Sequence, residues 1–183
     1  LHPPGKGEVL LRQTAIGLNY MDVYQRSGYY PLDLPSGLGL EAAGVVEAVG
    51  EGVDDLREGD RAAYGGSAPG AYAEYRNMPA SRLVKVPNSI SDEQSAALML
   101  KGMTVEYLLN RTYSVKEGEP VLFWAAAGGV GLIAGQWGKA IGARMIGVAS
   151  GSKKCALALA HGYDTVIDRN SEDVVARVKE ITN

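Results

Sequence analysis

Ala125-Ala126-Ala127-Gly128-Gly129-Val130-Gly131 follows an apolar run, Val121-Leu122-Phe123-Trp124, and leads into a segment with Val130, Ile133, Ala134, Trp137 and Ile141 at helical spacing. A buried strand, a glycine turn and a helix, in that order, form the setting in which a dinucleotide pyrophosphate binds. Glycines permit the tight turn and the close approach of backbone to phosphate, which side chains would block. The helix N-terminus then offers free N–H groups and the positive end of its dipole. Gly131 allows the helix to pack closely on the strand. A glycine-rich turn by itself also fits a connection that binds nothing; the flanking elements favour a dinucleotide site.

Outward from this turn the elements alternate. Met145-Ile146-Gly147-Val148-Ala149 reads as a second buried strand, Lys153 to His161 as a helix, Thr165-Val166-Ile167 as a third strand and Glu172 to Ile181 as an amphipathic helix. This β-α-β-α-β-α order predicts a parallel, doubly wound sheet. Binders of NAD place an acid at the end of the second strand for the ribose hydroxyls. Here that end reads Ser150-Gly151-Ser152-Lys153-Lys154, with no acid. Small hydroxyls and two lysines suit a 2′-phosphate, so the cofactor expected is NADPH; a solvated helix start is the plainer reading of the lysines.

The composition changes near position 90. Before it lie short apolar runs with Gly and Pro punctuation: Glu8 to Gly17, Ala43 to Gly50, Arg61 to Tyr64, Ala71 to Arg76 and Leu83 to Val86. These predict the strands of a sandwich or partial barrel. Asn19 to Arg26 reads as one or two helical turns. Ser91-Asp92-Glu93-Gln94 has the cap and acids of a helix start, and the apolar residues continue to Leu108-Leu109.

Bulk properties exclude several functions. The chain has 183 residues, 46% hydrophobic and 21% charged, with a net charge of -3. That balance suits a globular core and gives no footprint for nucleic acid. No apolar run reaches the ~20 residues of a membrane helix, and the Leu1-His2-Pro3-Pro4-Gly5 start has no features of a signal peptide. One cysteine, Cys155, and two distant histidines, His2 and His161, give no metal-ligand spacing, so no metal is expected. A lone thiol fits a reducing, cytoplasmic setting.

Several longer segments together resemble one family. Ala15-Ile16-Gly17-Leu18-Asn19-Tyr20-Met21-Asp22 is similar to the GxNxxD segment of the zinc-free, zeta-crystallin-like quinone oxidoreductases of the medium-chain dehydrogenase/reductase superfamily. Arg26-Ser27-Gly28-Tyr29-Tyr30-Pro31, Leu34 to Gly44, Val49-Gly50, Gly59-Asp60-Arg61, Gly70-Ala71-Tyr72, Leu100 to Val105 and the Ala125 to Gly131 turn continue the match in order. The resemblance implies a GroES-like, β-rich catalytic domain over residues 1–98. The first half of a Rossmann sheet then follows over 99–183. Zinc-dependent relatives have a catalytic cysteine where this chain has Asn19, and a histidine where it has Leu40 before Glu41. The family is longer, so the chain is expected to be cut short, to bind cofactor poorly alone and to turn over little.

By the same resemblance, Asn19, Tyr20 and Tyr24 border the nicotinamide, with Thr104 and Tyr107 approaching it. Gly128, Gly129 and Val130 touch the pyrophosphate, and Ser150, Gly151, Ser152 and Lys154 surround the 2′-phosphate. Arg169 stands where the family often has a tyrosine under the adenine. A guanidinium can also stack on a base. Tyr24 and Tyr30 are the candidate catalytic residues, donating a hydrogen bond to the acceptor oxygen. Each has a plainer reading: Asn19 as a helix cap, Tyr20 and Tyr24 as packing residues, Thr104 as a back-bonder, Glu41 as structural, and Trp124 and Trp137 as core. The implied activity is hydride transfer from NADPH to a quinone or another small electrophilic acceptor, in a homodimer of the full-length protein. An enone or enoyl reductase, or a non-enzymatic crystallin-like or RNA-binding protein, are the alternatives.

Overall fold

A computed structural model of the chain describes residues 2–183. The chain forms two compact units, one ending at Leu100 and the other spanning Lys101–Asn183. The boundary falls inside a single helix.

The first unit is built on a five-stranded antiparallel sheet in the order β4-β1-β2-β3-β5. Its strands are β1 (Glu8–Gly17), β2 (Glu41–Val49), β3 (Arg61–Tyr64), β4 (Tyr75–Pro79) and β5 (Val84–Lys85). Alternation along the strands supplies both faces with apolar side chains. Val9, Leu11, Val46, Ala62, Tyr64 and Met78 fill one core. Ala43, Ala63 and Val86 face the other way, onto Ala96 of α2 (Asp92–Glu106). The short helix α1 (Tyr20–Arg26) leaves β1 after two residues.

One strand lies elsewhere than the sequence predicts. Ala71 to Arg76 was expected to be extended and paired; β4 instead starts at Tyr75 and pairs Arg12 through Glu8. The carbonyls of Ala71 and Ala73 are taken by the Gln13 side chain, at 2.9 and 2.5 Å, in place of strand partners.

The second unit has the order β6 (Pro120–Trp124), α3 (Gly129–Ile141), β7 (Arg144–Ala149), α4 (Ser152–Ala160), β8 (Thr165–Asp168) and α5 (Val174–Thr182). The strands pair in parallel as β6-β7-β8, which is the expected architecture. Met145, Ala126, Ala134, Ala158 and Tyr163 form its core. β6 departs from expectation in one respect. Leu122 and Trp124 are 40% and 56% exposed, while Val121 and Phe123 pack against the core. Period-2 alternation puts the first pair on the face away from that core, so Trp124 is not a core residue. Trp137 does pack against the core.

Three hydrogen bonds fasten the turns that flank these strands. The buried Tyr163 hydroxyl donates to the Gly131 carbonyl at 2.8 Å. Asp168 Oδ1 accepts the Gly151 and Asn170 amides at 2.8 and 3.1 Å. Those amides hold the Asp168 carboxyl below its usual range.

A Cβ on Gly131 would meet the carbonyl oxygens of Ala125 and Ala126, the latter at 2.6 Å, and backbone cannot yield as a flexible side chain can. Gly131→Ala is expected to lower stability by about 1–3 kcal/mol in urea denaturation. Gly102→Ala, where the methyl meets nothing within 4 Å, is expected to raise it by about 0.5–1 kcal/mol. Because the folded-state pKa of Asp168 is lowered, its contribution is full above the unfolded value of about 3.9 and fades as pH falls below it. The stability gap between wild type and Asp168→Asn should therefore be widest near neutrality and shrink with acidification; a gap that stays constant to pH 3 would contradict this assignment.

Candidate functional site

The phosphate turn begins in the sheet and ends in the helix. The Ala126 amide donates to the Val148 carbonyl at 3.0 Å, so the turn starts as a continuation of the β6–β7 ladder. Ala125 has φ 55 and is the sole non-glycine residue with positive φ among the described residues. Gly128 N–H closes the turn on the Ala125 carbonyl at 2.8 Å, and Leu132 N–H then reaches Gly128 O at 2.9 Å. The amides of Gly129, Val130 and Gly131 precede the first intrahelical bond and have no acceptor within α3.

Beside this turn lies a cavity of about 300 Å³, at the carboxyl ends of the parallel strands. Trp124, Gly128, Ser150, Lys154 and Arg169 line it, with alanines and Val148 completing the wall. No carboxylate is among its lining residues. Arg169 Nε donates to Ser150 Oγ at 2.5 Å. Gly151, at φ 84, caps α4 and is held by Asp168, and Ser152 opens the helix. Of the residues picked from the sequence, Gly128, Ser150, Lys154 and Arg169 are thus brought to one wall. Gly129, Val130, Gly151 and Ser152 are next to it in the two turns. Thr104 in α2 and Tyr107 do not line it, and the backbone widens into a π-helical stretch over Tyr107–Thr112. Trp124 was missed as a lining residue; the alternating exposure of β6 was the signal.

In the first unit, Asn19 caps α1 and is held at both ends. Its backbone N–H donates to Asp22 Oδ2 at 2.9 Å, and its Nδ2 donates to Glu41 Oε1 at 2.8 Å. Glu41 is 0% exposed, and its Oε2 accepts the Leu100 amide at 2.7 Å. Asp22, also buried, takes the Tyr72 hydroxyl on the same oxygen at 2.8 Å, while its Oδ1 has no hydrogen-bond partner. Burial and the Asp22 carboxylate push the Tyr72 hydroxyl up to about 12. Leu18, Asp22, Val23, Arg26, Leu38 and Tyr72 surround a hollow of about 140 Å³. The capping reading of Asn19 therefore holds, together with a second role as ligand of Glu41.

The expected tyrosines do come together. Tyr24 is the hub, with ring centroids 5.0 Å from Tyr20, 5.1 Å from Tyr29 and 5.5 Å from Tyr30. Edge-to-face rings at these spacings stabilise one another. Tyr20 is nonetheless 72% exposed, so the cluster presents aromatic surface rather than sealing a core. Tyr29 and Tyr72 were not singled out as site residues from the sequence: Tyr72 has its partner, Asp22, in a distant segment that no local pattern links, whereas Tyr29 stacks on its neighbours Tyr24 and Tyr30, and the run of nearby tyrosines was the signal. Among the described residues, no group of His, Cys, Asp or Glu gathers as metal ligands.

Comparison with known proteins agrees with both units. Residues 5–88 match the alcohol dehydrogenase GroES-like domain, and residues 129–183 match the zinc-binding dehydrogenase family. A quinone oxidoreductase of Salmonella typhimurium is 52% identical over 98% of this chain and 55% of its own length. A 2-haloacrylate reductase of a Burkholderia species is 44% identical over 98% of the chain and 56% of its own. The crystal structure of Escherichia coli quinone oxidoreductase complexed with NADPH superposes with a TM-score of 0.96 at 50% identity, over 100% of this chain and 56% of that one. The chain thus spans little more than half the length of the relatives it matches. The sheet order, the glycine turn and the unbroken likeness across both units lead to one conclusion: the chain belongs to the medium-chain dehydrogenase/reductase superfamily, and within it is similar to quinone oxidoreductases.

Proposed function

We propose that the protein carrying this chain is an NADPH-dependent quinone reductase that works without a metal, as a cytoplasmic homodimer. The observation that carries the reading is the cavity beside the phosphate turn, with a hydroxyl, two cations and no carboxylate at its wall, and with the start of α3, whose first amides have no acceptor within the helix, following directly on its lining residue Gly128. Such a wall suits a dinucleotide bearing a phosphate on its ribose.

When bound, NADPH supplies a hydride from C4 of its nicotinamide. The chain's own residues bind and orient. The amides of Gly129 and Val130, with Gly128 leaving the backbone open, receive the pyrophosphate. Ser150 and Lys154 receive the 2′-phosphate, with Gly151 and Ser152 shaping the turn. Asn19, Tyr20, Thr104 and Tyr107 border the nicotinamide. Tyr24 and Tyr30 hold the acceptor ring and donate a hydrogen bond to its oxygen. A quinone is a strong acceptor whose reduced oxygens take protons readily, so the protein's task is alignment of two flat rings and exclusion of water. Glu41 and Asp22 fix the carboxamide and backbone of Asn19 for that purpose.

The 44% identity to a 2-haloacrylate reductase favours one second reading, in which the acceptor is an activated alkene. The two differ in which acceptor gives the higher kcat/KM. With NADPH and the intact native polypeptide, 1,4-naphthoquinone should exceed 2-chloroacrylate and an α,β-unsaturated ketone; the reverse order would transfer the assignment to the alkene. In the same assay the Tyr24→Phe/Tyr30→Phe double variant should lose at least about tenfold in kcat, the worth of a hydrogen bond to a developing charge. An unchanged kcat would remove both tyrosines from the chemistry.

A further inference from the structure

Arg169 departs from the tyrosine that the resemblance would place there, and its surroundings specify what the departure does. Its Nε donates to Ser150 Oγ at 2.5 Å, across the ends of β8 and β7. The bond directs one edge of the guanidinium to the end of the second strand, where the ribose of a bound dinucleotide lies. A serine hydroxyl that accepts from Nε keeps its own hydrogen to donate.

The nearby acids are committed elsewhere. Asp168 Oδ1 accepts the Gly151 and Asn170 amides, and Glu172 accepts the Asp168 amide at 2.8 Å while its other oxygen pairs with Arg177 at 3.3 Å. Arg169 has no carboxylate partner among the described residues, and with Lys154 it lines the same cavity. The wall therefore combines a hydroxyl donor, a guanidinium edge and an ammonium, the donor set of a phosphomonoester site.

We infer that Arg169, oriented by Ser150, is a specificity-determining residue that grips the adenosine 2′-phosphate edge-on, in place of an aromatic ring under the adenine. The inference rests on the NADPH reading above. A stacking residue would serve NADPH and NADH alike, because both carry the same adenine. A phosphate-gripping residue serves NADPH alone.

Calorimetric titration of the intact native polypeptide with NADPH and NADH separates these roles. Arg169→Gln should weaken NADPH binding about 10- to 100-fold, the range for a hydrogen bond to a charged group, and change NADH binding by no more than about twofold. Ser150→Ala, which releases the guanidinium, should weaken NADPH by a smaller factor and also spare NADH. The added phosphate contact should appear as a shallower salt dependence of NADPH binding in Arg169→Gln. Equal weakening of NADPH and NADH would overturn the inference in favour of stacking or a structural role, and so would a variant that keeps the wild-type preference. A wild-type protein that binds neither dinucleotide, or prefers NADH, overturns the NADPH reading and this inference with it. The wild-type arm therefore distinguishes the two failures.

Discussion

The close approach of backbone to backbone between β6 and the first turn of α3 governs the second unit. Gly131 lies so near the Ala125 and Ala126 carbonyls that no side chain fits there. The chain can turn this sharply because Ala125 adopts a left-handed conformation, which costs a residue with a Cβ of order 1 kcal/mol or more. That strain persists because its surroundings hold it. Ala126 is bonded into the β7 ladder on one side, Gly128 closes on Ala125 on the other, and Tyr163 anchors Gly131 from beneath. The result is a helix that starts one tight turn, Ala125 to Gly128, after the strand, with its first amides beside the cavity.

The sheet around this turn was legible because each of its features is local. Val121 to Trp124 and Met145 to Ala149 are short apolar runs, and the spacing of Val130, Ile133, Ala134, Trp137 and Ile141 is helical over an uninterrupted stretch. What an apolar run does not reveal is which of its faces is covered. Trp124 reads as core by composition, yet it lies on the face opposite α3 and at the cavity. Arg169 could be named from the sequence as a departure, but its role depends on Ser150, 19 residues earlier, being its partner.

The first unit was less legible for the same physical reason. Its decisive bonds join residues far apart in the chain: Gln13 to Ala71 across 58 residues, Asp22 to Tyr72 across 50, Leu100 to Glu41 across 59. Strand existence could be read from alternation and punctuation. The start of β4 could not, because a side chain of β1 competes for the carbonyls that a strand would otherwise pair. The Asn19 segment was recognised by likeness, and its geometry followed from the buried Glu41, whose two oxygens take one side-chain donor and one backbone donor.

These two kinds of site solve the problem of order differently. The tyrosines around Tyr24 are held by ring contacts and stay partly exposed, without, among the described residues, the directional bonds that would fix a single orientation for the proposed acceptor. The anion-facing wall is held by directional bonds made before any ligand arrives: Asp168 pins Gly151, and Ser150 fixes the Arg169 fork. An exposed cation gains little from a single ion pair in water, since ordering a long side chain offsets the attraction. When that ordering is already complete, more of the attraction remains for binding. The fold thus places its rigid recognition where a constant part of the cofactor would sit, and its adaptable surface where the acceptor would vary.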